Sequence, residues 1–161
     1  MSNEILIKMA QDAWQGQLKS TDSLLNKLSD EQLMQEVSPG RNRGIYLLGH
    51  LLAVHDMMLP LLLLGDSQYP TYYSVFVQSP DRAVADLPSI AELRTQWTVT
   101  NEKLSAHFAS LAADEWFTRH ASVSPEDFAK EPHRNRLNVL LSRTNHLSYH
   151  RGQLVLLAAK D

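Results

Sequence analysis

The chain has 161 residues, of which 43% are hydrophobic and 20% charged, so we expect one domain with its own core over residues 1–161. Its net charge of −3 excludes the strongly basic surface of a typical nucleic-acid-binding protein, and no run of basic residues marks a membrane surface. The absence of cysteine excludes disulfides, thiolate metal ligands and cysteine nucleophiles.

The first predicted element is a helix over about residues 3–28, where apolar residues recur with the period of an α-helix. The N-terminal sequence MSNEILIKMA lacks the basic region and the small-residue cleavage site of a signal peptide, so we expect a cytoplasmic protein. The segment LSDEQL then predicts a short helical turn with Ser29 or Asp30 as its N-cap. Proline and glycine in SPGRNRG predict a loop after this turn.

The second predicted helix covers about residues 43–59, and it reaches residue 64 if Pro60 only kinks it. The run IYLLGHLLAVHDMMLPLLLL is long and apolar enough to resemble a membrane span. However, His50, His55 and Asp56 lie near its centre, where polar groups are costly in a membrane. We therefore interpret the run as a buried helix of a bundle, and we expect no membrane association.

Residues 65–87 are rich in proline and tyrosine, show no helical period and are long for a connection inside a compact domain. A third helix is predicted over about residues 89–111, with Pro88 and Ser89 at its start, and a fourth over about residues 137–159. No segment alternates in polarity as a strand does. The sequence therefore predicts an all-α fold, a four-helix bundle with a long crossover connection between its second and third helices.

Two histidines of the fourth predicted helix, His146 and His150, lie four residues apart in TNHLSYHRGQLVLL. This spacing is about one helical turn, so their rings share one side of the helix. On a wheel of ~100° per residue this side also carries Val139 and Leu157, and it therefore faces the interior. His50 lies on the inward side of the second helix by the same criterion.

The H-x-x-x-H pair supplies two metal ligands from one turn, and a histidine on a facing helix completes a three-ligand site. Neutral imidazole suits zinc, nickel, copper and iron. An alternative stays open on these residues alone. An inward histidine is more often a hydrogen-bonded core residue, and the spacing also arises by chance.

Several neighbouring side chains are candidates for further roles. Gln153 lies on the side of His146 and either reaches a substrate or fills polar space at the helix boundary. Tyr149 either lines the mouth of a pocket or packs at the helix edge. His55 and Asp56 point away from His50, so we expect both at the surface or in an interface.

The sequence contains the segment RNR twice, at residues 41–43 and 134–136, each time ahead of a histidine-bearing helix. These arginines either bind an anionic substrate or are solvated loop charges. No Gly-rich phosphate loop and no nucleophile elbow for Ser/His/Asp catalysis occurs in the sequence.

Three segments carry a resemblance to a known family: LSDEQL, PGRNRGIYLLGHLLAVHD and TNHLSYHRGQLVLL, in this order. In them the chain resembles the DinB-like family of metal-dependent helical bundles, most specifically in the ending H-x-x-x-H-R-G-Q. The resemblance implies a metal site of His50, His146 and His150, the same three residues that the helical geometry selects. Tyr46 stands where members often carry tryptophan, and we count it with Gln153 and Tyr149 as a candidate substrate-binding residue. The family also has a long connection between its second and third helices.

The resemblance implies a homodimer and an enzyme that acts on a small molecule, either by transfer of a low-molecular-weight thiol or by hydrolysis. Three protein ligands leave coordination positions open, as catalytic metal sites do. We therefore predict a metal-dependent thiol transferase or hydrolase, with zinc or nickel as the divalent ion and iron as a further candidate. Two alternatives remain: a metal- or ligand-binding helical-bundle dimer without turnover, and a structural dimer whose histidines are merely buried.

The second helix also suggests how the chain assembles. It is apolar on nearly every face, so its apolar surface is larger than a single contact within the bundle can cover. We expect a homodimer that buries part of this helix and of residues 59–64. Gly152 on the fourth helix would let another helix approach closely.

Overall fold

The computed structural model describes residues 3–158, and the regular structure within this range is entirely helical. The prediction of an all-α protein is thereby confirmed. In chain order the helices are α1 (Asn3–Lys27), α2 (Asp30–Leu33), α3 (Gly44–Asp56), α4 (Met58–Leu61), α5 (Thr71–Tyr73), α6 (Ile90–Ser110), α7 (Pro125–Lys130) and α8 (Arg136–Ala158). A π-helical turn, Ser74–Gln78, directly follows α5, and a 3₁₀ turn, Ala113–Phe117, follows α6.

The four long helices, α1, α3, α6 and α8, coincide with the four predicted ones to within three residues at each described end. The predicted end of the fourth helix, Ala159, lies outside the described residues. The second helix stops at Asp56 and resumes after Met57 as α4. Pro60 explains the interruption, because it has no N–H to donate to the carbonyl of Asp56 one turn earlier.

Capping boxes fix the start of two helices. Ser29 accepts a hydrogen bond from the N–H of Gln32 (3.1 Å), and the Gln32 side chain accepts one from the N–H of Ser29 (2.9 Å). Ser89 and Glu92 make the same reciprocal pair at the start of α6. Each box satisfies donors that the first helical turn leaves free. Ser29, and not Asp30, is therefore the N-cap of α2.

Helix α3 is buried on all sides: every one of its residues except His50 is buried. It packs against α6 and α8 and against the connection that contains α5 and the π-helical turn, while α1 packs against α8. The 18-residue stretch Gly44–Leu61 is long and apolar enough to cross a membrane, and 72% of it is buried inside the fold, as in a core helix. Most of the apolar surface of α3 that suggested a dimer contact is therefore covered within one chain, whereas Leu63, just after α4, is 53% exposed.

Asp56, the last residue of α3, holds the beginning of the connection to α6. Its carboxylate accepts hydrogen bonds from the N–H groups of Gln68 and Tyr69, each 2.9 Å, and from the hydroxyl of Ser67. Only 1% of Asp56 is exposed, so the prediction of a surface or interface position is wrong. Burial of the carboxylate is tolerated because these three donors replace water.

Arg43 ties a later part of the same connection to the start of α3. Its guanidinium donates to Oδ1 of Asp81 at 2.7 Å and to Oδ2 at 3.1 Å, and its backbone N–H donates to the same carboxylate at 2.8 Å. Burial acts to raise the pKa of Asp81, but the hydrogen bonds from Arg43 outweigh it and hold this pKa below its usual value. Arg43 is thus engaged in an ion pair and is not a solvated loop charge.

His55 lies in the core, and its predicted surface position is also wrong. The side chain is fully buried, its ring lies 4.8 Å from those of Trp14 and Trp97, and its Nδ1 donates to Oδ1 of Asn101 at 2.7 Å. Burial lowers the pKa of His55 to about 4, so the ring is neutral at neutral pH. The prediction failed because it allowed α3 only one inward face, whereas α6 covers the face opposite α8.

A glycine substitution tests how tightly the connection packs on α3. A Cβ built on Gly49 would lie 2.3 Å from a ring carbon of the fully buried Phe76, whereas one on Gly16 of α1 meets nothing within 4 Å. Gly49→Ala should therefore lower the free energy of unfolding by about 1–3 kcal/mol through overpacking. Gly16→Ala, the matched control, should raise it by up to about 1 kcal/mol through helix propensity. Urea unfolding measures both, and equal stability of the two variants would contradict the packing.

Candidate metal centre

Three imidazole rings from two helices meet at one point. His50 comes from α3, and His146 and His150 come from successive turns of α8. The Nε2 atom of His146 lies 3.1 Å from Nε2 of His50 and 3.1 Å from Nε2 of His150. One nitrogen from each ring lies within 4.8 Å of the other two, and all three side chains are half-buried. The structure therefore brings together the three residues that the sequence selected.

The separations of these nitrogens suit a metal ion. Zinc binds histidine nitrogen at about 2.0–2.1 Å, which in a tetrahedral site places two such nitrogens about 3.3 Å apart. The observed 3.1 Å contacts differ from this distance by a few tenths of an ångström. Small shifts of the rings are enough for the three nitrogens to hold one divalent ion.

Hydrogen bonds on the outer side of two rings fix their tautomers. The Nδ1–H of His50 donates to the backbone carbonyl of Phe76 at 2.8 Å, and that of His150 donates to Oε1 of Gln153 at 2.7 Å. Both partners are oxygens that only accept, so the proton lies on Nδ1 and the lone pair on Nε2. Both rings thus present their ligand atom inward, as metal-binding histidines do when an outer acceptor orients them.

His146 decides whether this donor set fits a cation. Its Nε2 faces the lone pairs of His50 and His150, while its Nδ1 is buried and has no hydrogen-bond partner among residues 3–158. A single proton on this Nε2 can satisfy only one of the two facing lone pairs well. A divalent cation at the centre satisfies the lone pairs of all three rings together, so the chemistry of the set fits a metal ion.

The environment keeps the three rings uncharged. The pKa of His146 is lowered to about 3, first by burial and then by the neighbouring His150 and His50. Burial also lowers the pKa of His50 and of His150, against the opposing effect of their Nδ1 hydrogen bonds. At neutral pH the rings are therefore neutral, which is the form that binds a metal.

The three candidate substrate-binding residues surround the histidines in different ways. The ring of Tyr46 stacks on His50 with 6.4 Å between centroids, and its hydroxyl donates to the carbonyl of Ser79 at 2.6 Å. The amide oxygen of Gln153 is engaged by His150. The ring of Tyr149 packs edge-on against His150 (4.9 Å) and is 65% exposed, so it offers the most open surface of the three.

Two further residues at the site were not assigned from the sequence. Phe76 contributes its backbone carbonyl to His50, a role for which no side-chain pattern exists. Arg143 precedes His146 by three residues, about 60° around α8 at ~100° per residue, and its positive charge contributes to the low pKa of His50 and His146. The helical spacing of Arg143 was a signal that could have identified it.

Comparison with known proteins identifies a family. A family model described as the DinB superfamily matches residues 13–154, which include all three histidines and most of α1 and α8. No curated protein matches the chain.

The outer hydrogen bond of His150 can be tested by substitution. Gln153→Leu removes the acceptor of the Nδ1–H, so the ring loses its fixed tautomer, and zinc affinity should fall about 10–100-fold. Tyr149→Phe is the matched control, because among residues 3–158 its hydroxyl is hydrogen-bonded only to the Gln153 amide nitrogen, at 3.4 Å, and its loss should leave zinc affinity unchanged. Competition with a chromophoric chelator measures both affinities. Unchanged affinity in Gln153→Leu would show that this amide does not orient His150.

Proposed function

The chain belongs to the DinB superfamily, and from this premise we propose that it is a metalloenzyme in which His50, His146 and His150 bind one divalent metal ion. The observation that carries the proposal is the meeting of three Nε2 atoms, two of them with tautomers fixed from outside. Imidazole ligands suit zinc and nickel, with iron as a further candidate.

The number of ligands favours catalysis over a purely structural role. Structural zinc sites use four protein ligands, whereas catalytic sites use three and keep a position open. No fourth His, Asp or Glu side chain joins the cluster within the described part of the chain. Because the three rings are only half-buried, a small molecule can approach them from solvent.

The reaction class follows from the ion and from the resemblance to the family. A bound divalent ion supplies Lewis-acid chemistry, since it lowers the pKa of a water or thiol that it binds. We propose a small-molecule substrate and either thiol transfer, with a low-molecular-weight thiol as the second reactant, or hydrolysis. The protein supplies three neutral, half-buried ligands.

A second candidate is a metal- or ligand-binding protein without turnover. It is favoured by the absence of an acidic side chain among the groups that shift the pKa of the three histidines, because a carboxylate is a common general acid or base. Turnover of an electrophilic substrate by the zinc- or nickel-loaded protein, with and without candidate thiols, distinguishes the two.

The architecture that goes with this function is a single four-helix bundle domain built from α1, α3, α6 and α8. Residues 62–89 form the long crossover between its second and third helices. The contacts of α1 with α8 and of α3 with α6 and α8 support this arrangement. We also place the protein in the cytoplasm, without a nucleic-acid or membrane partner.

A substitution at His150 tests the metal site. His150→Ala removes one of three ligands and should lower metal affinity sharply, while α8 stays folded because alanine is a good helix former. His133→Ala, at an exposed position away from the cluster, is the control and should leave metal content unchanged. Metal analysis of untagged protein gives the occupancy, and circular dichroism confirms the fold.

Acid should release the metal, because protons compete for the same nitrogens. The lowered pKa values of the three rings predict that loss of the metal begins only below the ordinary histidine pKa of about 6.5.

The substitution gives a separate test of the ligands. Full metal occupancy of His150→Ala at neutral pH, with other metal sites excluded, would contradict the three-histidine centre.

We further propose that the chain forms a homodimer through the side of α8 that faces away from the histidines. Large apolar side chains are 45–46% exposed there, and a Cβ on Gly152 meets nothing of its own chain within 4 Å, so a partner helix can approach closely. The side chains in question are Leu141, Val155 and Leu156.

Light scattering should give twice the mass of one chain for the wild type. Leu156→Glu should give a folded monomer, because burying a carboxylate in an apolar contact is costly. Val99→Glu places the same charge on an exposed apolar site of α6 and should remain dimeric. A monomeric wild type would contradict the dimer, and dimeric Leu156→Glu would contradict this surface.

A further inference from the structure

Arg143 carries a positive charge that acts on His50 and His146, and it has no anionic partner among residues 3–158. It lies one helical turn before His146 on the same side of α8, where residues three apart have their Cβ atoms about 5–6 Å from each other. The side chain is half-buried, and its Nε is shielded from solvent. Within residues 3–158 the guanidinium makes no hydrogen bond and no ion pair.

Some half-buried arginines of this chain are paired, whereas Arg136 and Arg151, like Arg143, have a buried Nε without a hydrogen-bond partner among residues 3–158. Arg43 pairs with Asp81 at 2.7 Å, and Arg94 donates to backbone carbonyls and contacts Asp30. Burial lowers the pKa of Arg143, and the only group that acts in the opposite direction is the phenol of Tyr73. Arg143 is therefore a desolvated cation for which the described chain supplies no counter-charge.

This charge is unfavourable beside a metal centre unless an anion joins it. Three neutral imidazoles leave a divalent ion with both of its positive charges, and Arg143 adds a third nearby. No carboxylate is among the groups that shift the pKa of His50, His146 or His150. Clustered like charges at reduced dielectric repel one another, so a negatively charged ligand placed between them gains from both.

We propose that Arg143 binds the anionic oxygen group, a carboxylate or a phosphate, of the small-molecule substrate, and so holds the reacting end of that molecule at the histidines. This inference rests on the proposed function and narrows its substrate class to short anionic molecules. The planar guanidinium matches both groups through two parallel hydrogen bonds. Tyr73, which is 39% exposed and whose phenol acts on Arg143, is a candidate second donor to the same group.

Calorimetric titration with two simple probes, succinate and methylphosphonate, tests the assignment on metal-free and on zinc-loaded protein. The wild type should bind at least one probe, and more tightly with zinc. Arg143→Gln should weaken that binding about tenfold or more, the effect of losing a charged hydrogen-bonding partner. Arg143→Lys should recover part of it, since the charge remains but the planar fork is lost.

Arg151→Gln is the matched control. Arg151 is a half-buried arginine of the same helix whose Nε also lacks a partner, but it lies about 140° around α8 from His146 at ~100° per residue. Its substitution removes the same charge from the chain and should leave probe affinity unchanged. The preference between the two probes tells a carboxylate substrate from a phosphate one.

Two outcomes would overturn the inference: a wild type that binds neither probe, or Arg143→Gln that binds as tightly as Arg151→Gln. The proposed metal site is judged separately, by zinc affinity. Zinc affinity in Arg143→Gln should be equal to or higher than in the wild type, because a repulsive charge is removed. Loss of probe binding with zinc binding retained therefore assigns the effect to Arg143, and circular dichroism of each variant confirms the fold.

Discussion

The burial of α3 on every side is the constraint on which the rest of the structure depends. A helix with so little polar surface needs cover from all directions, and α6, α8 and the connection after α4 together provide it. His50 is the one residue of α3 that is not buried, so the helix is exposed to solvent at the position where α8 brings His146 and His150. The packing around α3 therefore both covers the core and places His50, the first ligand, beside the other two histidines.

The connection is held against α3 by polar contacts at both ends of that helix. Asp56 binds its first part through backbone donors, and Arg43 binds its later part through Asp81. Between these anchors Phe76 packs onto Gly49 and directs its carbonyl to Nδ1 of His50. The orientation of the His50 ring therefore depends on contacts of residues that are distant in sequence. The connection between α4 and α6 is in this way part of the candidate metal centre.

The sequence predicted the elements that show a helical period or an N-cap. It did not predict the positions of side chains on a helix whose faces are all equally apolar. The spacing of His146 and His150 and the box at Ser89 are local, so both could be recognised before any packing was known. His55 and Asp56 were misplaced because α3 is apolar nearly all round, and a helical wheel cannot rank faces that look alike. The carbonyl of Phe76 was beyond prediction, because every residue carries a carbonyl and only the fold selects one.

A site made only of histidines differs electrostatically from one that includes a carboxylate. Neutral imidazoles supply lone pairs but no negative charge, so the full charge of a bound cation persists at the opening. The protein around this opening adds a further positive side chain and no acid that acts on the rings. Arg43 and Arg94, by contrast, are paired with Asp81 and Asp30. Under the proposed function, the anionic group of the substrate supplies the charge that balances the site.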